Sequence, residues 1–433
     1  MNRRKTMSSV LLVLLMASVV FIPASNAFTA PLIWSGEILI AIDPSFTYED
    51  DNGVIITIYF TPCDEFASAI STKDRDVWIA WQSEYPRDSE SPQRIEVFYR
   101  VYDGYWTNAT QLTNSPGKNN RAPALLQTAD GTIWVFWVSD RTGNDEIFYK
   151  TTSNYGLSWS ELDMQVTNNA TRDASPASVQ TSDGKIWLVW SRQINSTTEQ
   201  IMYKTFNGAG WSAESQLTTT VNSINQLPSI IQAHDGKIWV FWSRNMTTTY
   251  QIFYKTFNGT MWSDAAQITS DDRYNRDPAA LVERDGTMWV FWHSKTQQTQ
   301  STHDLYYKTS ANNGTTWSAT SQFTTDNEND WQPTATQTQD KGIWVIWTST
   351  RNDPNGNPNQ DLYARITALG DIDHSGAIDM TDLSMILKAA GTDPSWPHGT
   401  DWFQWNPECD LNVDNKINVL DLSTAALNFG QSA

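Results

Sequence analysis

A five-residue phrase with tryptophan at its second and fifth positions returns six times: Val77 to Trp81, Ile133 to Trp137, Ile186 to Trp190, Ile238 to Trp242, Met288 to Trp292 and Ile343 to Trp347. The first tryptophans lie 56, 53, 52, 50 and 55 residues apart, a period that belongs to solenoids and propellers. Four copies follow an Asp-Gly turn, at Asp130-Gly131, Asp183-Gly184, Asp235-Gly236 and Asp285-Gly286, a strong hairpin signal between apolar runs. A third run such as Ile252-Phe253-Tyr254-Lys255 comes next, then a turn, a Trp and a short strand, as in Trp211 to Thr218. Each unit therefore reads as four strands. The second strand is apolar on both faces and must be covered on both, which radial sheets packed face to face achieve while leaving only short edges. The expected fold is mainly β, a six-bladed β-propeller over residues 28–367. Its sixth unit lacks a fourth strand before residue 368, and residues 28–61, with Ile38-Leu39-Ile40 and Val54 to Ile58, are available to supply it and close the ring.

Two turns between third and fourth strands carry a family resemblance. Thr152-Ser153-Asn154-Tyr155-Gly156-Leu157-Ser158-Trp159 and Ser310-Ala311-Asn312-Asn313-Gly314-Thr315-Thr316-Trp317 resemble the Asp box of sialidase-type propellers, with Asn in place of Asp. The resemblance implies a capped tight turn with its Trp between sheets; it covers residues 60–367 and speaks to fold, not to activity. Sialidases also need an Arg-Ile-Pro-like start to the first blade and a Tyr-Glu nucleophile pair. Here the start reads Thr61-Pro62-Cys63-Asp64, and no such pair falls on the expected loops.

Beyond Leu369 the composition changes to Asp-rich loops and short helical runs. A calcium loop of twelve residues supplies oxygens at positions 1, 3, 5, 7, 9 and 12. Asp371, Asp373, Ser375, the Ala377 carbonyl, Asp379 and Asp382 fill these in one segment, with Gly376 at the sharp turn. Asp410, Asn412, Asp414, the Lys416 carbonyl, Asn418 and Asp421 fill them in a second, where Asn415 replaces the glycine. Position 12 is Asp in both, and a helix follows each loop. This duplicated pattern over 369–433 resembles a type I dockerin, a small α-helical domain holding two Ca2+ ions. The resemblance implies docking onto a cohesin of a scaffold or surface protein, with loop positions 10 and 11 setting specificity: Met380 and Thr381, Val419 and Leu420. The Ser-Thr pairs frequent there in the family are missing.

The N-terminus reads as an export signal over residues 1–27: Arg3, Arg4 and Lys5, an apolar run from Val10 to Pro23, and small residues before a cut after Ala27. The run is short of the ~20 residues a transmembrane helix needs, and no anchor is expected. General and twin-arginine export both stay open. The expected location is extracellular, with attachment to a cell surface through a cohesin. Acidic residues outnumber basic ones 48 to 29, for a net charge of −19, which disfavours nucleic acid as a partner. Cys63 and Cys409 form no disulfide framework, and whether they bridge is open. Sequons at Asn108, Asn169, Asn195, Asn245, Asn258 and Asn313 suit glycosylated loops.

Propeller ligands sit over the axis, on the face carrying the loops between blades and between second and third strands. The first loops hold Arg121, Arg172, Asp173, Arg276, Asp277 and Trp331; the second hold Glu84, Asp140, Arg141, Arg192, Arg244 and His293. Guanidinium groups pair bidentately with carboxylates and an aromatic face stacks on a sugar, so this set could hold a sugar acid. The same residues are also what ion pairs between blades would use. His234 and His303 stand isolated in the sequence, and no metalloprotease, nucleophile-elbow or phosphate-loop motif occurs. Two readings remain: a carbohydrate- or protein-binding propeller delivered by a dockerin, or a dockerin-borne glycoside hydrolase or lyase acting on polysaccharide, whose hydrolytic form would need two carboxylates ~5–9.5 Å apart.

Overall fold

The computed structural model describes residues 38–40, 46–49, 55–58, 64–85, 94–103, 106–296, 302–338, 342–351, 360–367 and 380–391, together with 409, 416, 417, 419, 422 and 425. The expected export signal and Cys63 lie outside them.

The architecture is a propeller-like ring of antiparallel sheets. Every tryptophan pair falls on a second strand, from Val77–Tyr85 in the first repeat to Ile343–Ser349 in the sixth. The inner strands are Glu65–Ser71, Asn120–Gln127, Asp173–Gln180, Asn225–Gln232, Tyr274–Val282 and Asp330–Gln337. Each lies beside the inner strand of the next repeat, and the sixth beside the first. Backbone-to-side-chain bonds tie that last pair: Ala69 N to Thr334 Oγ1 at 3.3 Å and Ser71 N to Thr336 Oγ1 at 2.9 Å. In the sixth repeat the outermost strand is Ile38–Leu39, which pairs antiparallel with Asp361–Ile366. Residues Phe46–Glu49 and Ile55–Ile58 form a separate two-stranded hairpin.

The sheets differ from the six separate blades expected. Four are separate four-stranded sheets; the fourth and fifth repeats share one eight-stranded sheet. The join is a single parallel pairing of Tyr250 with Tyr274, where the third strand of one repeat meets the inner strand of the next.

Packing explains the repeated phrase. The second tryptophan of the pair is essentially buried in every repeat, and hydrophobic clusters alternate with sheets around the ring. Truncating one such tryptophan to alanine would cost about 3–5 kcal/mol. In the second, fourth, fifth and sixth repeats its indole also anchors a buried polar group. Trp137 Nε1 donates to Asn120 Oδ1 at 3.1 Å, and Asn120 Nδ2 donates to Glu96 Oε2 at 2.7 Å. Thr113 Oγ1 donates to the same carboxylate at 2.6 Å. Trp242 with Asn225, and Trp292 with Asn275, repeat the first bond at 2.9 Å.

The two Asp-box-like turns close onto the preceding repeat. Asn312 Oδ1 accepts Thr316 N at 2.9 Å, and Trp317 meets Trp239 edge to face at 6.3 Å. Gly314 has φ +73°, and a Cβ there would sit 2.1 Å from the Trp239 ring, so only glycine fits.

In the C-terminal segment a helix spans Met380–Ala389. Ile386 and Ala389 are buried with Cys409, Ile417 and Ala425, so residues on either side of the linker share one small core.

Candidate functional site

Every inner strand carries a bulge near its start, visible as a register shift against the second strand, between Arg121 and Ala124 in the second repeat and Arg276 and Ala279 in the fifth. The bulged residues Phe66, Ala122, Ser175, Leu227, Asp277 and Gln332 all have φ between 49° and 57°. None is glycine, and such backbone costs ~1–3 kcal/mol per residue unless its surroundings hold it. Side chains of the preceding repeat do so: Gln82 Oε1 accepts Ala122 N, Ser191 Oγ accepts Leu227 N and Ser243 Oγ accepts Asp277 N, each at 3.0 Å. The six bulges and the residues that follow them line a cavity of about 110 Å³. The residue just before each bulge is Glu65, Arg121, Ala174, Gln226, Arg276 or Trp331.

Seven of the eleven expected propeller residues are committed to the scaffold. Asp173, fully buried, takes a bidentate pair from Arg192 at 2.7 and 2.8 Å, and Arg192 also reaches Glu214 at 2.5 Å. Arg141 joins Asp163, bonds Asn120 Oδ1 at 2.9 Å and lies 4.6 Å over Phe148. Asp140 accepts the Asn119 backbone at 2.9 Å. Arg244 bonds Thr220 and lies 4.7 Å over Phe253. Arg121 and Arg172 share Asp145, at 2.7 and 2.9 Å.

The remaining four, Arg276, Asp277, His293 and Trp331, come together. Arg276 and His293 are direct cross-strand partners and so project to the same side of the sheet. Asp277 Oδ2 lies 3.1 Å from His293 Nδ1. The His293 ring meets His303 edge to face at 4.9 Å, and His303 meets Trp331 at 5.8 Å. Arg276 lies 4.8 Å over the Tyr250 ring. Burial pushes the Asp277 carboxyl up, but His293 and Arg276 more than offset it and hold it below the ordinary value. Burial, with His293 and Lys295 nearby, drives His303 down to about 3, so its ring is neutral. Glu199, influenced by Arg172 and Arg276, is raised by its burial.

Buried polar atoms here lack protein hydrogen-bond partners: Arg276 Nε, Asp277 Oδ1, His293 Nδ1, whose 3.1 Å approach to Asp277 Oδ2 is an ion-pair contact, and His303 Nδ1. Unmet buried groups cost ~1–3 kcal/mol each and are uncommon in native structures. A polyhydroxylated ligand supplies both donors and acceptors for them.

Sequence reasoning passed over Asp145, Glu199, Tyr250 and His303. The signal available for His303 was its place at the head of a third strand, one repeat position from Trp331. Of the calcium-loop residues, Asp382 is fully buried in the first turn of the Met380–Ala389 helix, and Lys416 is exposed. Asp371, Asp373, Ser375, Ala377, Asp379, Asp410, Asn412, Asp414, Asn418 and Asp421 lie outside the described residues. Among the described residues no cluster of three or more His, Cys, Asp or Glu forms a metal site. Met380, Thr381 and Val419 are exposed; Leu420 is outside the description.

No protein-family model and no curated protein matches the sequence. Solved structures do match, at low identity. A Dyadobacter fermentans protein of unknown function aligns with TM-score 0.57 and 14% identity, over 71% of this chain and 96% of its own. A Streptococcus pneumoniae sialidase aligns with TM-score 0.53 and 12% identity, over 75% and 70%. A Penicillium chrysogenum α-L-arabinanase aligns with TM-score 0.53 and 11% identity, over 76% and 98%. The chain has the β-propeller fold of these proteins. Among the described residues no helix is long and apolar enough to cross a membrane.

Proposed function

We propose that the chain is an exported carbohydrate-binding propeller, presented on a cohesin-bearing scaffold by a C-terminal dockerin. In this reading the eight-stranded sheet counts as two blades, making six, and residues 28–61 close the ring within a domain spanning 28–367. The observation that carries the glycan reading is the group of buried, unpartnered polar atoms on Arg276, Asp277 and His303 beside the Trp331 face. Aromatic faces and convergent polar groups in a concave site are what sugar recognition requires. The low-identity likeness to a sialidase and an arabinanase adds the expectation that such a site suits this fold.

The dockerin reading places two Ca2+ ions in the loops 371–382 and 410–421. Its support is the repeated ligand order in the sequence, the burial of Asp382 at position 12 and the shared core of Ile386 with Ile417. The exposed Met380, Thr381 and Val419 are available to a cohesin partner.

A second reading makes the propeller an enzyme that cleaves polysaccharide. It is favoured by two carboxyls within electrostatic reach of Arg276, Glu199 raised by its burial and Asp277 held low by His293 and Arg276. Incubating full-length protein with neutral and acidic polysaccharides, with binding and cleavage read separately, tests both. Binding to any glycan that His303→Ala with Trp331→Ala weakens supports the site; no binding to any overturns it.

A further inference from the structure

The six repeats provide their own controls. The residue after each tryptophan pair is Gln82, Val138, Ser191, Ser243, His293 or Thr348. In the first, third and fourth repeats it props the next repeat's bulge by accepting the bulged N–H. In the sixth, Thr348 Oγ1 donates to its own repeat's bulged Gln332 at 3.0 Å, and in the fifth the residue is His293, whose Nδ1 lies 3.1 Å from Oδ2 of its own repeat's bulged Asp277. Asp277 is also the only carboxylate among the six bulged residues, and Arg276 one of two arginines preceding a bulge. The fifth repeat alone thus sets a bulge carboxylate against an imidazole with an arginine cross-strand to that imidazole, and its Asp277 lines the axial cavity. Departures from an otherwise consistent local rule mark functional sites.

From this departure we infer that the fifth repeat is a proton-abstraction site that cleaves 4-O-linked uronic-acid polysaccharides by β-elimination, with His293 as the base. The inference rests on the glycan reading above and deepens it. Arg276, cross-strand to His293, pairs with the substrate's uronate carboxylate and disperses the charge that develops on it when the α-proton leaves. Asp277 is a positioning residue: with its carboxylate at Nδ1 it presents Nε2 to the ligand and stabilises the imidazolium. His303, neutral beside His293, adds no competing cation. Hydrolysis would instead need two carboxylates acting on the sugar. Here Asp277 Oδ2 is turned to His293.

The step balances without a co-reactant. His293 Nε2 takes the proton from C5, the C5–H electron pair becomes the C4=C5 double bond, and the C4–O4 bond breaks with its pair on the departing oxygen. That oxygen takes up the proton from the imidazolium, so His293 returns neutral and the products are an unsaturated uronide and a free hydroxyl.

The test incubates full-length protein with polygalacturonate and with alginate, using arabinan as the neutral control. The ultraviolet absorbance of the conjugated product reports elimination, and calorimetry reports binding. We expect unsaturated product from a polyuronide and none from arabinan. His293→Ala should lower the rate by ~10²–10⁴-fold while still binding the polymer. Asp277→Asn should lower kcat with little change in KM, and Arg276→Ala should raise KM. His293→Gln, with a melting temperature measured beside it, separates chemistry from misfolding. New reducing ends without unsaturation would overturn elimination and leave the glycan site standing, as would polyuronide binding without any product. Absence of binding to any glycan would overturn both.

Discussion

The third and fifth repeats have the same strands, the same bulge and the same cavity, yet they use charge in opposite ways. In the third, Asp173 and Arg192 are cross-strand partners, fully engaged with each other, and the positions beside them are Ala174, Ser175 and Ser191. In the fifth, Asn275 and Ser294 occupy the first pair's places, and the charges stand one residue along, at Arg276, Asp277 and His293. A shift of one residue in a strand turns a side chain to the other face. The third repeat's charges are thereby spent on holding neighbours together, and the fifth repeat's gather around Asp277 of the axial cavity with polar atoms unmet. Residue type alone does not separate a structural ion pair from a ligand site; position within the repeat does.

That contrast predicts unequal costs. Asp173→Ala leaves the Arg192 cation buried without its main partner and should destabilise by about 3–5 kcal/mol. Arg276→Ala should change stability by less than ~1 kcal/mol. Denaturant unfolding measures both, and equal losses would erase the distinction between the two repeats.

Calcium should leave both repeats alone. In full-length protein, chelation should accelerate amide exchange of the Met380–Ala389 helix without affecting the strands of the third and fifth repeats. At free calcium one hundred times Kd the ion should stabilise its own module by about 2.7 kcal/mol. Exchange of that helix unaltered by chelator would remove the calcium assignment.

A smaller effect comes from pH. His303 stays neutral in the folded protein down to about 3, whereas the unfolded chain protonates it near its ordinary 6.5. The unfolded state thus binds the extra proton, so stability falls as pH drops from about 6.5 toward 3. Because the ring is partly exposed, the slope should stay below the ~1.4 kcal/mol per pH unit of a fully buried group. His303→Gln should flatten this loss relative to wild type over the same window, and parallel curves would show that His303 is solvated.

Much of this was readable in the chain. The tryptophan phrase located all six second strands, since a strand apolar on both faces has few places to go. The Asn-x-Gly turns at 154–156 and 312–314 were legible because a capped turn is local. The sharing of one sheet by the fourth and fifth repeats was not, since it depends on one long-range pairing, Tyr250 with Tyr274. Nor was the sorting of arginines. Arg192 and Arg276 look alike in sequence, and only the bulge register decides which one stands across from a carboxylate and which one across from His293. His303 read as isolated because its neighbours, His293 and Trp331, belong to other strands.

The central claim is that the fifth repeat, not the ring as a whole, binds glycan. Calorimetric titration of full-length wild type, Arg276→Ala and Arg141→Ala with one acidic oligosaccharide tests it most directly. We predict that Arg276→Ala loses at least about tenfold in affinity, the worth of one charge-assisted hydrogen bond, and that Arg141→Ala, whose guanidinium is tied to Asn120 and Asp163, binds like wild type. Equal affinity of Arg276→Ala and wild type, or equal weakening of both variants, would contradict the account.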